Sequence, residues 1–286
     1  RERYLGPFCR QCPQRVEIFH YDLGNDFYAL WLDEGMNYSS ALFADPERPD
    51  EGLAAAQIAK IDAALDRLDL KDGERLLEIG CGWGGLAARA LERAAVRYDG
   101  LTLSREQAEW ARARLPDERA DIHLTDYRDA AGRYDAIASI EMVEAVGQEY
   151  WPAYMEAIHR LLKPGGRAAV QYISINDAIF ERYAASADFI QTYIFPGGML
   201  ISESRFRAAA EAAGLEWRDR RGFGPHYATT LRLWRERFDL AVEEGRLPAS
   251  FDEHFVRLWR YYLMYCEGGF AGGGIDAYVF RMDPEL

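Results

Sequence analysis

Between Leu53 and Leu68 the apolar positions recur at helical spacing, which predicts an amphipathic helix, and the "KDGE" that follows reads as a turn. "RLLEIG" (75–80) is a short apolar run ending in glycine and predicts a buried strand, after which "GLAARALERAA" (85–95) returns to the helical period. The alternation continues with "DGLTLS" as a strand, "REQAEWARARL" as a helix closed by Pro116, and "DIHLTD" and "YDAIASIE" as strands three and four. "WPAYMEAIHRLLKPGG" predicts a helix stopped by Pro and Gly, leading into a fifth strand, "RAAVQYISI". Strands alternating with helices imply an α/β fold with a doubly wound, mostly parallel sheet of Rossmann-like type.

Beyond Ile175 the rhythm breaks. Residues 176–204 hold the aromatic and glycine-rich "DFIQTYIFPGGML", and a helix is expected over 203–213. Two long amphipathic stretches, 227–244 and 252–265, are dense in Trp, Tyr, Leu and Phe, and "DAYVFRM" predicts the last strand. Ahead of the alternating region, "HYDLGNDFYALWLDEGMNYSS" (20–40) places five aromatic rings in 21 positions with little periodicity. The expected organisation is a cap or lid segment over 1–52 and a core over 53–286. Insertions near 176–204 and 225–270 complete a helical, aromatic cap.

Composition narrows the class of partner. The 286 residues are 49% hydrophobic and 28% charged, enough to bury a large core. The 34 basic against 47 acidic residues give a formal charge of −13, which argues against a nucleic-acid partner, because phosphate neutralisation needs clustered Lys and Arg. A local group such as Arg218, Arg220 and Arg221 would still suit an anionic membrane surface. No run approaches the ~20 apolar residues of a spanning helix, and nothing resembles a signal peptide. The chain opens at Arg1 rather than Met, so a missing natural start is expected. Cys9, Cys12, Cys81 and Cys266 are too scattered for a disulfide framework and suggest a reducing, cytoplasmic setting. Cys9 and Cys12 form a C-x-x-C without a second ligand pair, so no metal site is expected.

"LLEIGCGWGG" satisfies G-x-G-x-x-G at Gly80, Gly82 and Gly85 between a strand and a helix. A dinucleotide site would place a carboxylate about 20 residues on to hold a ribose hydroxyl. That region instead reads "LTLSREQ", where Thr102 and Ser104 precede any acid. Glu78, two residues before Gly80, gives E-x-G-x-G, the pattern of S-adenosylmethionine (SAM) methyltransferases. Asp126, after strand three, is placed to accept from an adenine amino group.

These motifs resemble one family, the cyclopropane fatty acid synthases, including the mycolic acid cyclopropane synthases. The resemblance rests on "HYDLGNDFY", "MNYSSALF", "LEIGCGWGG", "LTLSREQ", "SIEMVEAVG", "YIFPGG", "FGPHYATTL" and "WRYYLMYCEGGF", and runs over nearly the whole chain. It implies SAM contacts at Tyr21, Tyr38 and Ser39, at Glu78, Gly80, Gly82 and Trp83, at Thr102, Ser104 and Gln107, and at Asp126 and Tyr127. It further implies a bicarbonate site at Ser40, Glu144, Gln171, the Ile173 backbone and Tyr227, and aligns Cys266 with a cysteine often labelled active. Ser40 stands where the family has Cys, and Gln171 where it has His. The implied substrate is an unsaturated fatty acyl phospholipid, met by transient contact at the inner face of the membrane. A homodimer is compatible with the resemblance.

An isolated alkene has no proton to remove first, so the double bond must be held against an electrophilic methyl group. Transfer leaves a carbocation that needs a dry pocket with π faces nearby. Ring closure then needs a base for a proton of the new methyl. Gln171 offers amide donors but cannot titrate near neutrality as His can. The resemblance implies cyclopropanation by a bicarbonate base, and that is the expectation. A methyl- or methylene-branched chain is the alternative, and a small-molecule N-methyltransferase a more distant one. Simpler roles compete for single residues. Glu144 could be a helix N-terminal charge, Tyr227 a packing ring and Ser40 a turn cap. Cys266 reads as a small buried hydrophobe. The Trp and Tyr stripes over 227–265 could be core or, with residues 180–200, line an acyl tunnel.

Overall fold

The computed structural model of the chain describes residues 23–116 and 118–285. Eight strands form one sheet: β1 (Arg75–Ile79), β2 (Arg97–Thr102), β3 (Ala120–Leu124), β4 (Tyr134–Ile140), β5 (Leu162–Ile175), β6 (Ile201–Ser202), β7 (Leu215–Gly222) and β8 (Ile275–Pro284). Their order is β3-β2-β1-β4-β5-β8-β7, with β6 paired to β5. β8 runs antiparallel to both β5 and β7, while the remaining pairs are parallel. The order reverses between β1 and β4, so their carboxyl ends open onto the crevice where doubly wound sheets bind ligands.

Helices cover both faces because both faces of the strands are apolar. Leu76, Ala136 and Ala169 pack against α2 (Gly52–Leu68), α3 (Gly85–Arg93) and α4 (Arg105–Arg114). Their neighbours Leu77, Ile137 and Val170 pack on the other face, against α5 (Trp151–Leu161) and α8 (Glu203–Ala212). Such near-continuous apolar strands are what a doubly covered sheet requires. Local chemistry sets several helix ends. Asp69, in the left-handed region at φ 44°, closes α2, and the Ser104 side chain caps α4 by accepting from Gln107 N.

A third core lies above the crevice. The short helix α1 (Asn25–Tyr28) and the loop after it bury Phe27, Trp31 and Leu32 against α9 (Gly224–Glu243) and α10 (Glu253–Ala271). Trp31, Trp234 and Trp259 are fully or nearly fully buried, and ring centroids 5.4 Å apart join Trp31 to Trp234. Residues 23–43 thus share one core with α9 and α10. Two short helices, α6 (Asp177–Ala184) and α7 (Phe189–Tyr193), occupy the stretch where the sequence rhythm broke. Among the described residues no helix is long and apolar enough to cross a membrane.

Two details differ from the sequence expectation. β5 begins at Leu162 and runs through Pro164-Gly165-Gly166, with its register against β4 shifting between Tyr134 and Ala136. The basic segment holding Arg218, Arg220 and Arg221 is itself strand β7. Arg218 pairs with Glu216 and Asp283, while Arg220 pairs with Glu203 and lies 3.7 Å from the Tyr278 ring centroid. Acids therefore offset two of the three charges, and the segment is not a strong basic patch.

Candidate active site

The loop after β1 turns on Gly80 and Gly82, both left-handed at φ 82° and 51°. A side chain at Gly82 would meet no atom within 4 Å, so this backbone faces open space that a ligand can approach. The cleft it borders is lined by Tyr38, Ser39, Lys60, Glu78, Trp83, Thr102, Ser104, Gln107 and Glu141. An adjoining lobe shares Gly80, Thr102 and Met142 with it and adds Asp126, Tyr127 and Arg128. All the residues implied to contact SAM border one continuous crevice, apart from Tyr21, which lies outside the described residues.

The polar groups around the cleft are held in place by one another. Thr102 Oγ1 donates to Gln107 Oε1 at 2.8 Å and accepts from Ser104 N at 3.1 Å. Trp83 Nε1 donates to Asn25 Oδ1 at 2.6 Å, tying the glycine loop to α1. Tyr38 O–H meets Tyr262 O–H at 2.8 Å, and Ser39 Oγ accepts from Lys60 Nζ at 2.7 Å. Glu78 accepts from Tyr98 O–H at 2.5 Å, and burial raises its pKa to about 8. Arg128 engages both carboxylate oxygens of Asp126, at 2.9 and 2.6 Å. An adenine amino group would share that carboxylate with Arg128. The donor and acceptor set and the open backbone at Gly82 fit the groups of SAM.

Deeper in, at the carboxyl end of β4, three of the five residues implied to hold bicarbonate, Ser40, Gln171 and Tyr227, converge on a group absent from that set. Glu141 Oε1 accepts from Gln171 Nε2 at 2.7 Å and from Ser40 N at 3.0 Å, and Glu141 Oε2 accepts from Tyr227 O–H at 2.6 Å. Its backbone is left-handed at φ 47°, a strained setting for a residue with a side chain. Burial raises the Glu141 pKa, while Tyr227, Ser40, Gln171 and Lys60 pull it back down. Ser40 acts through its backbone N–H alone, since its hydroxyl donates to Ala41 O at 3.0 Å.

Glu144, three residues on, faces elsewhere. It accepts from Ile173 N at 2.5 Å, and its own backbone carbonyl accepts from Met199 N, anchoring the Pro-Gly-Gly loop. Its Oε2 is buried without a hydrogen-bond partner. Burial, and the charge of Glu141, raise its pKa to about 8. Three donors favour the charged form of Glu141, whereas Glu144 has one. Cys266 is half-buried against the aromatic core with its thiol pKa raised by burial, which disfavours a thiolate.

Sequence reasoning passed over Glu141 and Lys60. The first has a readable signal: two carboxylates three positions apart follow a strand that opens on the crevice. The second has none, because a lysine in an amphipathic helix ordinarily marks the solvated face.

Comparison with known proteins agrees with this geometry. The family described as mycolic acid cyclopropane synthetase matches residues 11–280. The chain is 44% identical over 285 residues to tuberculostearic acid methyltransferase UfaA1 of Mycobacterium tuberculosis, covering 96% of this chain and 66% of that protein. It is 37% identical over 258 residues to the cyclopropane-fatty-acyl-phospholipid synthase of Escherichia coli, covering 90% and 64%. The chain thus spans just under two thirds of the length of these two curated relatives. Among solved structures, mycolic acid cyclopropane synthase CmaA1 complexed with SAH and CTAB superposes with a TM-score of 0.87 at 34% identity, covering 97% of this chain and 99% of that one.

Proposed function

The chain belongs to the mycolic acid cyclopropane synthetase family, and from that premise we propose that it methylates the double bond of an unsaturated fatty acyl chain in a phospholipid. The proposed product carries a methylene branch, and Glu141 is the base that completes it. The observation that carries this reading is the Glu141 carboxylate seated on Ser40 N, Gln171 Nε2 and Tyr227 O–H. Three of the groups implied to hold a bicarbonate already hold a carboxylate that belongs to the chain. A free anion would meet a like charge there and few unused donors.

SAM, held by Tyr38, Ser39, the Gly80–Trp83 loop, Thr102 and Gln107, supplies an electrophilic methyl group. Methylation leaves a secondary cation on the adjacent carbon of the acyl chain. The buried aromatic core excludes water from it, and the Tyr227 ring, stacked at 4.3 Å on Phe270, offers a π face close to the base. A hydride shift from the methylated carbon to its neighbour moves the charge to a tertiary centre. Glu141 then takes one proton from the methyl, whose C–H electrons form the double bond of the methylene branch. Three donors weaken Glu141 as a base, and a longer-lived cation favours this shift over immediate ring closure. The relative named for tuberculostearic acid supports branching over ring closure.

The apolar residues of α7, α10 and the Pro-Gly-Gly loop support an acyl-binding region. Tyr193, Tyr261, Met264 and Tyr265 stay exposed there, which supports transient contact with a membrane surface. Product analysis tests the reading. Purified protein is incubated with SAM and vesicles of a monounsaturated phospholipid, and the fatty acids are then ozonised. Cyclopropane and methylene products are isomers, so mass alone does not separate them. Ozone cleaves the methylene group to a ketone and leaves a cyclopropane ring intact. A ketone is the expected result, and an ozone-resistant product of the same mass would return the reading to cyclopropanation.

A further inference from the structure

We propose that Lys60 is the counter-ion for the α-carboxylate of the amino-acid end of SAM, with Ser39 as the residue that positions it. This rests on the SAM reading above and adds to it a residue that neither the glycine loop nor the family motifs point to.

Lys60 sits in α2 with 4% of its surface exposed, and it lines the same cleft as the glycine loop. An ammonium carries three donors, of which one reaches Ser39 Oγ at 2.7 Å. Among the described residues, no carboxylate forms an ion pair with it. Burial lowers the Lys60 pKa, and the acids that pull it back up, Glu141, Asp33 and Glu78, are each turned to other donors, so an anion arriving beside it would favour the charged form. Glu141 is held by Ser40, Gln171 and Tyr227, and Glu78 by Tyr98. Asp33 accepts from Gly35 N and from both the backbone and side-chain nitrogens of Asn37.

A buried ammonium without an adjacent anion is expensive, and such groups persist where a partner arrives from outside. Lys60 is also the only cationic side chain among the described residues lining this lobe. An amino-acid carboxylate leaving water for the cleft needs just such a partner. The competing role for Lys60 is long-range neutralisation of Glu141 and Glu78, which would be indifferent to the ligand's carboxylate.

Calorimetry with two ligands separates the roles. S-adenosylhomocysteine carries the carboxylate, and S-adenosyl-3-thiopropylamine lacks it but keeps the amine. The wild-type protein is expected to bind the decarboxylated ligand at least about tenfold more weakly, the size of one charge-assisted hydrogen bond. Lys60→Met is expected to lose at least about tenfold in affinity for S-adenosylhomocysteine and to bind both ligands alike. Lys60→Gln, which keeps a donor to Ser39, is the second variant should Lys60→Met fail to fold. The proposal is overturned if a folded variant discriminates between the ligands as the wild type does, or if both ligands weaken equally. It also falls if the wild type does not discriminate. Failure of the wild type to bind S-adenosylhomocysteine at all would instead remove the cofactor reading, and neither result depends on which lipid product forms.

Discussion

The two ends of the cleft are built differently. At the glycine-loop end part of the network is local: Thr102, Ser104 and Gln107 fix one another within five positions, while Trp83 reaches back to Asn25. At the Glu141 end the partners lie 30, 86 and 101 positions away, at Gln171, Tyr227 and Ser40. The first end is a general device for holding a nucleotide-like ligand, and its geometry follows from a short motif. The second is assembled only when the lid, two strand ends and α9 meet, and in the proposed reaction it sets what happens after methyl transfer. A change at the second end should therefore alter turnover while leaving ligand binding at the first nearly untouched.

Glu141→Gln is the strongest test of that separation. It keeps the shape of the side chain and removes the base, so product formation should fall by at least about a hundredfold. Calorimetric affinity for S-adenosylhomocysteine should stay near the wild-type value, and a parallel loss of both would erase the distinction between the two ends. Tyr227→Phe removes one donor and should slow turnover by about tenfold. Donors hold the Glu141 pKa down, so its loss raises that pKa and moves the acid limb of the rate–pH profile upward. An unmoved limb would mean that Tyr227 does not tune the base.

Stability offers smaller, independent tests. Trp31→Ala opens the aromatic core shared by lid and helices and should cost about 3–5 kcal/mol in denaturant unfolding. A cost near zero would imply that the lid packs separately from α9 and α10. Glu144 binds its proton more tightly folded than unfolded, with a pKa raised from 4.5 to about 8. Its stabilising share is complete below pH 4.5 and declines as pH rises to about 8. Glu144→Gln should therefore flatten the fall of melting temperature across that window, although Glu78, shifted the same way, leaves part of the slope. Cys266→Ala should change turnover by less than about twofold, since the chemistry has no covalent step for a protonated thiol.

The sheet was legible wherever apolar runs alternated with helical spacing, and strands one to five and the glycine loop follow from that pattern alone. β7 was not, because "LEWRDRRG" is an edge strand whose charged side chains, exposed over most of its length, hide any alternation. The start of β5 was hidden by Pro164-Gly165-Gly166, which reads as a stop signal but continues as extended backbone. At the site, the motif resemblance implied a bicarbonate held by Ser40, Gln171 and Tyr227 and gave no sign of the carboxylate that sits on them. Glu141 reaches them because its backbone turns left-handed just after β4, and a single sequence carries no direct mark of that turn. Ser40, which stands where the family has Cys, contributes a backbone N–H that either residue would supply.

The central claim is that a carboxylate of the chain itself occupies the anion pocket and serves as the base. It is tested most directly by turnover in carbonate-free buffer, with and without added bicarbonate, for the wild type and for Glu141→Gly, which suits the left-handed backbone and empties the pocket. The account predicts a wild-type rate indifferent to bicarbonate and a Glu141→Gly rate that bicarbonate restores in part. A wild-type rate that falls when bicarbonate is withdrawn would contradict it.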